Sequence, residues 1–377
     1  MKTRVLIVDD SATMRALLTR LLSQAPDLEV IGTAADARQA RVMIREMNPD
    51  VVTLDIEMPG MNGLDFLDKI MRLRPMPVVI VSGVTQQGCD VTVRALELGA
   101  VDCYAKPDGA ISNFLDHDGG ALAAMVSSAA RVRRWRGMSA DMTAGGAVPL
   151  RNAALRAVAG TGPVAPGIDS IGTSVTTDVR FAGASATTDA LCIVIGASTG
   201  GVEALHHILP SFPENCPPTV IVQHISAAFA PAMAQRLDAK CAAKVQLVEP
   251  GLPLRPGHIY IAPGNDRHAI IGRSGQLSVN MVPGDPVSGH RPSVDRLFES
   301  AAQRLGPAAV GILLTGMGQD GAKGLLAMRQ AGARTIAQDQ ASSTVYGMPR
   351  AAASLGAAMK ILPLPHIAGT ALGMAGW

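Results

Sequence analysis

Aromatic side chains are scarce. Phe, Trp and Tyr together make up 3% of the 377 residues, so the cores must be built from Val, Ile, Leu, Ala and the 18 Met. The five cysteines (Cys89, Cys103, Cys192, Cys216 and Cys241) are scattered, odd in number and form no CxxC pair. That excludes a disulfide framework and a thiolate zinc site. Charge is thin, at 17%, and balanced: 33 basic against 31 acidic residues leave a net +2. A chain whose main task is neutralising nucleic-acid phosphates carries far more positive charge. A hydrophobic content of 48% excludes disorder throughout. No apolar run reaches the roughly 18–20 residues of a membrane span. The first apolar stretch, in MKTRVLIVDDS, ends on two aspartates, as a signal peptide does not. The expectation is a soluble cytoplasmic protein of two or three domains, without membrane insertion or nucleic-acid binding.

Residues 1 to about 130 alternate short apolar runs (RVLIV, LEVIG, VVTLD, VVIVS, VDCYA) with segments of helical period. Met14, Leu17, Leu18, Leu21 and Leu22, for example, share one helical face. Five such units predict a parallel sheet covered on both sides. From about 137 to 189, Gly, Ala, Ser, Thr and Pro dominate and no period persists, which reads as a flexible linker with a helical stretch near 152–158. The preceding RVRRWR fits a nucleic-acid or membrane patch, but with no support from the net charge it reads better as the basic solvated end of a helix. From Leu191 a second α/β pattern begins. LCIVIG, TVIVQH and AVGILLTG suit buried strands; HIYIAPG, RHAIIG and QLSVN suit shorter ones, the last two joined as a hairpin at Gly272–Gly275. The end of the chain reads as a Pro- and Gly-rich tail.

Ligands of parallel sheets sit at the C-terminal ends of the strands. In the first unit those ends carry Asp9 and Asp10 (strand 1), Asp55 (strand 3), Ser82 (strand 4) and Lys106-Pro107 (strand 5). Singly, each is an ordinary cap or loop residue. Together, three converging carboxylates call for a cation, and hard oxygen ligands suit Mg²⁺. Asp55 can then act as nucleophile toward a phosphoryl group, with Ser82 and Lys106 holding its oxygens.

With VDDS, LDIEMPGMNGLDFL, VVIVSG and AKP in this order, the segment resembles the receiver domain of response regulators over about 120 residues. The resemblance implies a flavodoxin-like doubly wound receiver, phosphorylated on Asp55 by a histidine kinase. It also implies Mg²⁺ bound by Asp10, Asp55 and the Glu57 backbone carbonyl, with Asp9 assisting through water. One departure is visible: Cys103 stands where receivers usually carry an aromatic switch residue, and Tyr104 follows it.

In the second unit, Gly196-Ala197-Ser198-Thr199-Gly200 lies between a strand and a helical pattern and fits the G-x-S-x-G turn that exposes a nucleophilic serine. A helix cap or a phosphate-binding loop has a similar pattern. Of the eight histidines, His224 ends the strand TVIVQH and falls on the same sheet edge as Ser198. AVGILLTGMGQDG delivers Asp320 to that edge, which makes Ser198–His224–Asp320 a plausible triad in an order unlike that of α/β-hydrolases.

IGASTGG, VQHI, YIAPG, HRPSVDRLF, LLTGMGQDGAKGL, IAQD and VYGMPRAA, in order over about 190–362, resemble the catalytic domain of chemotaxis protein-glutamate methylesterases. The resemblance implies Ser198 as nucleophile, His224 as base and Asp320 as orienting acid, with Thr199 and Met317 supporting the oxyanion. The organisation expected is a receiver (1–125), a linker (126–189) and a doubly wound α/β methylesterase domain with a β-hairpin (190–377). The implied function is phosphorylation-activated removal of methyl groups from glutamate methyl esters of chemoreceptors, and deamidation of receptor glutamines, without a cofactor for the ester chemistry. The alternatives are the same hydrolase in a non-motility chemosensory pathway, a DNA-binding regulator, which the charge disfavours, and an unrelated lipase-like esterase.

Overall fold

The apolar runs of the first unit become strands because both of their faces are covered. The computed structural model describes residues 1–58, 62–106, 120–132, 192–274 and 276–377. Its first sheet contains β1 (Thr3–Val8), β2 (Leu28–Ala34), β3 (Val51–Leu54), β4 (Val78–Ser82) and β5 (Asp102–Ala105). The order is β2-β1-β3-β4-β5 and every pairing is parallel. Helices α1 (Ala12–Ser23), α2 (Ala37–Met47), α3 (Gly63–Leu73) and α4 (Gln86–Glu97) connect the strands. The α1 periodicity is realised: Leu17, Leu18, Leu21 and Leu22 are its buried residues, and the Ser11 hydroxyl caps it by accepting from the Met14 amide. β1 and β3 are neighbours where the winding reverses, which brings their C-terminal aspartates together. A fifth helix, α5 (Ala121–Ala130), runs across position 125 and is tied to this unit by a hydrogen bond from Ser127 Oγ to Asp27 Oδ2 (2.8 Å). The segment 133–191, with the 152–158 stretch and most of RVRRWR, lies outside the described residues.

The second unit is organised around a seven-stranded parallel sheet of order β15-β14-β13-β6-β7-β10-β8. Its strands are β6 (Cys192–Ala197), β7 (Thr219–Gln223), β8 (Lys244–Leu247), β10 (His258–Ile261), β13 (Ala309–Leu313), β14 (Arg334–Gln338) and β15 (Lys360–Leu362). β9 (Leu252–Pro253), β11 (Arg267–Ser274) and β12 (Gln276–Pro283) form a separate antiparallel sheet in which β11 and β12 are the expected hairpin. The helices are α6 (Gly201–Ile208), α7 (Ala230–Asp238), α8 (Val294–Leu305), α9 (Ala322–Gln330), α10 (Met348–Ser354) and α11 (Leu364–Met374). The chain starts at β6, winds to β7 on one side and later returns to β13 on the other. The crevice of this sheet therefore opens beside the end of β6.

The short strand read in HIYIAPG is β10, and it lies inside the main sheet between β7 and β8. Ile259, Tyr260 and Ile261 are all buried, as a central parallel strand requires. The Pro- and Gly-rich end is not an irregular tail, since it forms β15 and α11. Pro365 falls in the first turn of α11, where no amide donor is needed. Ile367, Ala368 and Ala371 supply its buried face. The described parts of both units belong to one compact body.

A helical tail has a signature in stability. Gly369 in α11 has open space where a Cβ would stand, so Gly369→Ala should stabilise by roughly 0.5–1 kcal/mol. Ile367→Ala, by removing a fully buried side chain, should cost about 2–5 kcal/mol. Urea denaturation of the two variants checks both signs.

Candidate active site and receiver pocket

The acidic edge of the first sheet assembles as its strand ends predict. Among the described residues, Asp9, Asp10 and Asp55 bring carboxylate oxygens within 4.8 Å of one another, Asp9 and Asp55 buried and Asp10 exposed. The amide of Lys106 donates to the Ser82 carbonyl (2.7 Å), which extends the β4–β5 ladder by one residue. Its ammonium then lies 2.7 Å from Asp55 Oδ2 and 2.9 Å from Asp9 Oδ2. The Ser11 and Glu57 amides donate to Asp9 Oδ1 and Asp55 Oδ1. Burial raises the Asp9 carboxyl and Asp55 adds to this, outweighing Lys106 and the Ser11 amide. Burial opposes the charge on Lys106, but the two carboxylates more than compensate and its pKa rises. Lys106 is thus firmly cationic between two carboxylates. Ser82 is buried, and among the described residues its hydroxyl makes one long contact, with the Gly83 carbonyl (3.4 Å). The Glu57 carboxylate accepts from Thr85 Oγ1 (3.1 Å). The Cys103 thiol is buried and pushed well above its ordinary pKa by desolvation, so it stays neutral.

At the second sheet edge, the chain leaves β6 in a sharp turn. The Gly201 amide donates to the Ser198 carbonyl (2.7 Å), and Gly200 takes the left-handed conformation (φ 76°). Small residues are needed here for space as well. A Cβ on Gly196 would lie 2.1 Å from Val294 Cγ1, and one on Gly316 would lie 2.7 Å from Ser198 Cβ. His224 follows β7, its amide bonded to the Ala197 carbonyl (2.9 Å). The preceding Gln223 donates from Nε2 to the Ser198 carbonyl (2.9 Å).

Asp320 comes from the loop after β13, and its Oδ2 lies 2.9 Å from His224 Nε2. It also accepts from Ser293 Oγ (2.8 Å), from the amides of Val294 (2.8 Å) and Asp295 (3.0 Å) at the N-terminus of α8, and from the Gly321 amide (3.1 Å). Burial would raise this carboxyl, but the hydrogen bond and charge of His224 together with the α8 amides hold it below its ordinary pKa. Asp320 is therefore an ionised carboxylate that fixes His224 by its Nε2.

His224 Nδ1 is buried and has no hydrogen-bond partner among the described residues. Ser198, His224, Gly200 and the receiver residue Asp102 line one small cavity. The structure joins His224 to Asp320 directly. Ser198 shares the cavity with His224, and among the described hydrogen bonds none links the two side chains. The Thr199 and Met317 amides donate to no other described group. Sequence reasoning missed His290, whose ring stacks on His224 with centroids 3.7 Å apart and planes 9° from parallel. Burial and the neighbouring His224 push His290 down to about 4 despite Asp320, so it is a neutral ring at pH 7. Its signal was its place in HRPSVDRLF, which also carries Ser293 and the first residues of α8.

The receiver reaches this turn. Asp102 Oδ2 accepts from Thr199 Oγ1 (2.6 Å), and the Val101 carbonyl accepts from the Gly200 amide (3.1 Å). Burial raises the Asp102 carboxyl to about 6. Beside it, α4 packs on α6 and α7. Arg236 Nε and Nη2 donate to the two oxygens of Glu97 (2.9 and 2.6 Å), with Lys240 at 3.2 Å. Burial raises the Glu97 carboxyl, but Arg236, His206 and Lys240 outweigh it and the pKa falls. His206, 3.1 Å from Glu97, is driven down to about 4, chiefly by burial.

An acidic pocket at the edge of one parallel sheet, joined to an α/β unit with Ser, His and Asp on one sheet edge, defines a response regulator with a hydrolase-type output domain. Residues 5–113 match the response regulator receiver domain and residues 193–371 match the CheB methylesterase. The chain is 49% identical to protein-glutamate methylesterase/protein-glutamine glutaminase 1 of Caulobacter vibrioides, over 99% of this chain and 98% of the relative. It is 46% identical to the protein-glutamate methylesterase/protein-glutamine glutaminase of Bordetella parapertussis, over 97% and 95%. The solved catalytic domain of Thermotoga maritima CheB methylesterase is 35% identical, covering 48% of this chain and 97% of that one, with a TM-score of 0.47. The chain belongs to the CheB methylesterase family, with an N-terminal receiver.

The Asp320 network and Ser198 should separate in a stability assay. Asp320→Ala strands the donors that converge on it and should destabilise by roughly 3–5 kcal/mol. Ser198→Ala removes a hydroxyl bonded to no described group and should stay within about 0.5 kcal/mol of wild type. Chemical denaturation measures the two shifts.

Proposed function

We propose that the chain is a phosphorylation-activated protein-glutamate methylesterase that removes methyl groups from glutamate methyl esters of chemoreceptors. In this reading it also deamidates receptor glutamines and serves adaptation in chemotaxis from the cytoplasm. The observation that carries the reading is the hydrogen bond of His224 to Asp320, with His224 and Ser198 lining one cavity that the receiver's Asp102 also lines.

In the mechanism, Ser198 Oγ attacks the ester carbonyl while His224 Nδ1, the ring nitrogen that does not face Asp320, takes the hydroxyl proton. Asp320 keeps the other nitrogen protonated and stabilises the imidazolium. The Thr199 and Met317 amides, which donate to no described group, support the oxyanion. The tetrahedral adduct collapses as the imidazolium returns the proton to methanol. Water, deprotonated by His224, then releases the glutamate carboxylate and Ser198. A glutamine side chain follows the same course with ammonia leaving. The stacked, neutral His290 limits the motion of the His224 ring.

Control lies in the receiver. The donor set of Asp9, Asp10 and Asp55 is all oxygen and one member is open to solvent, which fits Mg²⁺. With the Glu57 carbonyl, these residues would hold the ion, which screens the charge of an incoming phosphoryl group. Asp55 accepts that group from a histidine kinase, and Ser82 and Lys106 take its oxygens. Lys106 exchanges its contact with Asp55 for the phosphoryl group. The β4–β5 edge, which ends in Ser82 and Lys106 and begins at Asp102, carries the change to Thr199 and Gly200. Without phosphate, the Asp102, Val101 and Glu97 contacts hold the receiver over the nucleophile turn.

Methanol release from methyl-labelled receptor cytoplasmic fragments tests the chemistry. The intact protein with Mg²⁺ and a small phosphodonor should release methanol, and Ser198→Ala should lose at least ~10³-fold of that rate. Equal release by both would discard the proposed nucleophile. The control has its own test: Arg236→Glu should raise the unphosphorylated rate on the order of tenfold and leave the phosphorylated rate near wild type. An unphosphorylated rate that stays at the wild-type level would reject the Glu97 contact as a restraint.

A further inference from the structure

The proposed control uses the α4–β5 side of the receiver, but the side carrying α2 and α3 has a different composition. Arg38, Arg41 and Arg45 recur at i, i+3 and i+7 along α2, with Val42 between them. Phe66, Ile70 and Leu73 recur at i, i+4 and i+7 along α3, with Lys69 beside them. These two stripes line one groove of about 750 Å³, and no carboxylate lines it. Its floor is apolar, and its rim holds two unusually exposed hydrophobic side chains, Val42 at 42% and Leu73 at 77%.

Among the described ion pairs, Arg38 and Arg41 have no carboxylate, and Arg45 has only a 3.9 Å approach to the exposed Glu46. Arg74, by contrast, is committed to the end of α2, through the Ile44 carbonyl and Asn48 Oδ1. The groove is thus an apolar trough between two helices, with a row of uncompensated guanidinium groups along one wall.

We infer that the α2–α3 groove is a docking site for an acidic amphipathic helix of a partner protein. A helix laid in a groove presents apolar anchors at i, i+3, i+4 and i+7, which suits the Phe66 and Ile70 floor and the Val42 and Leu73 rim. Glu and Asp on its flank suit Arg38, Arg41 and Arg45, and such complementarity also speeds encounter. An anionic membrane surface fits less well. The floor residues Phe66 and Ile70 are buried in a concavity, whereas a membrane-binding surface has to project its apolar residues. The esterase unit occupies α4 and β5, so a partner on α2 and α3 can bind while the receiver is docked. The site would let the chain be recruited in its restrained state without itself raising activity.

The test uses the full-length protein and a fluorescein-labelled helical peptide of ~16 residues, with Leu at i, i+3, i+4 and i+7 and Glu elsewhere, followed by anisotropy. Saturable binding that weakens with salt is expected, and Leu73→Glu should weaken it about tenfold or more. Arg38→Glu combined with Arg41→Glu should do the same and should take up the peptide carrying Lys in place of Glu, which the wild type ignores. Methanol release by each variant, unchanged from wild type, reports that the fold is intact. No binding of the acidic peptide overturns the proposal, as does binding that is indifferent to these substitutions. Binding of phosphatidylglycerol vesicles in place of the peptide, lost in the same variants, overturns it in favour of a lipid surface.

Discussion

The turn from Ser198 to Gly201 is held from both sides. Within its own sheet, the Gly201 amide closes on the Ser198 carbonyl, and Gln223 donates to the same oxygen. From the receiver, the Val101 carbonyl takes the Gly200 amide and Asp102 takes the Thr199 hydroxyl. A backbone amide has one proton to give, and Gly200 gives it to the other domain. The Ser198–Gly201 turn of one unit and the last strand of the other are therefore a single hydrogen-bonded structure. Whatever moves β5 has to break or stretch bonds beside Ser198.

Both sites follow from one property of parallel sheets. Strand ends on one edge bring together residues far apart in sequence, so Asp9 meets Asp55 and Lys106, and His224 meets Asp320. The neighbourhoods then set the charges in opposite ways. Lys106 stays cationic because two carboxylates outweigh its burial. Asp320 stays anionic because His224 and the start of α8 outweigh its own. His290 and His206, buried without enough anionic support, stay neutral.

Much of this was legible in the residues. Continuous apolar runs predicted the central strands, and the polar residue after each run predicted which side chains share an edge. Local pattern did not reveal membership in a sheet. HIYI reads as a short strand, and only its pairing with β7 and β8 shows which sheet it joins. Nor did composition reveal α11, because Pro365 and Gly369 signal coil unless Ile367, Ala368 and Ala371 are seen to have a surface to bury against. The stacking of His290 on His224 and the Glu97–Arg236 contact were invisible for the same reason. Each depends on which elements pack together, as Arg236 is 139 residues from Glu97.

The central claim is that the receiver restrains the nucleophile turn through hydrogen bonds that phosphorylation loosens. Amide hydrogen exchange at Gly200 tests it most directly, because that proton is donated to Val101 of the receiver. With Mg²⁺ and a phosphodonor, the account predicts faster exchange at Gly200, with the β6 amides still protected. Unchanged protection of Gly200 in protein demonstrably phosphorylated on Asp55 would contradict it.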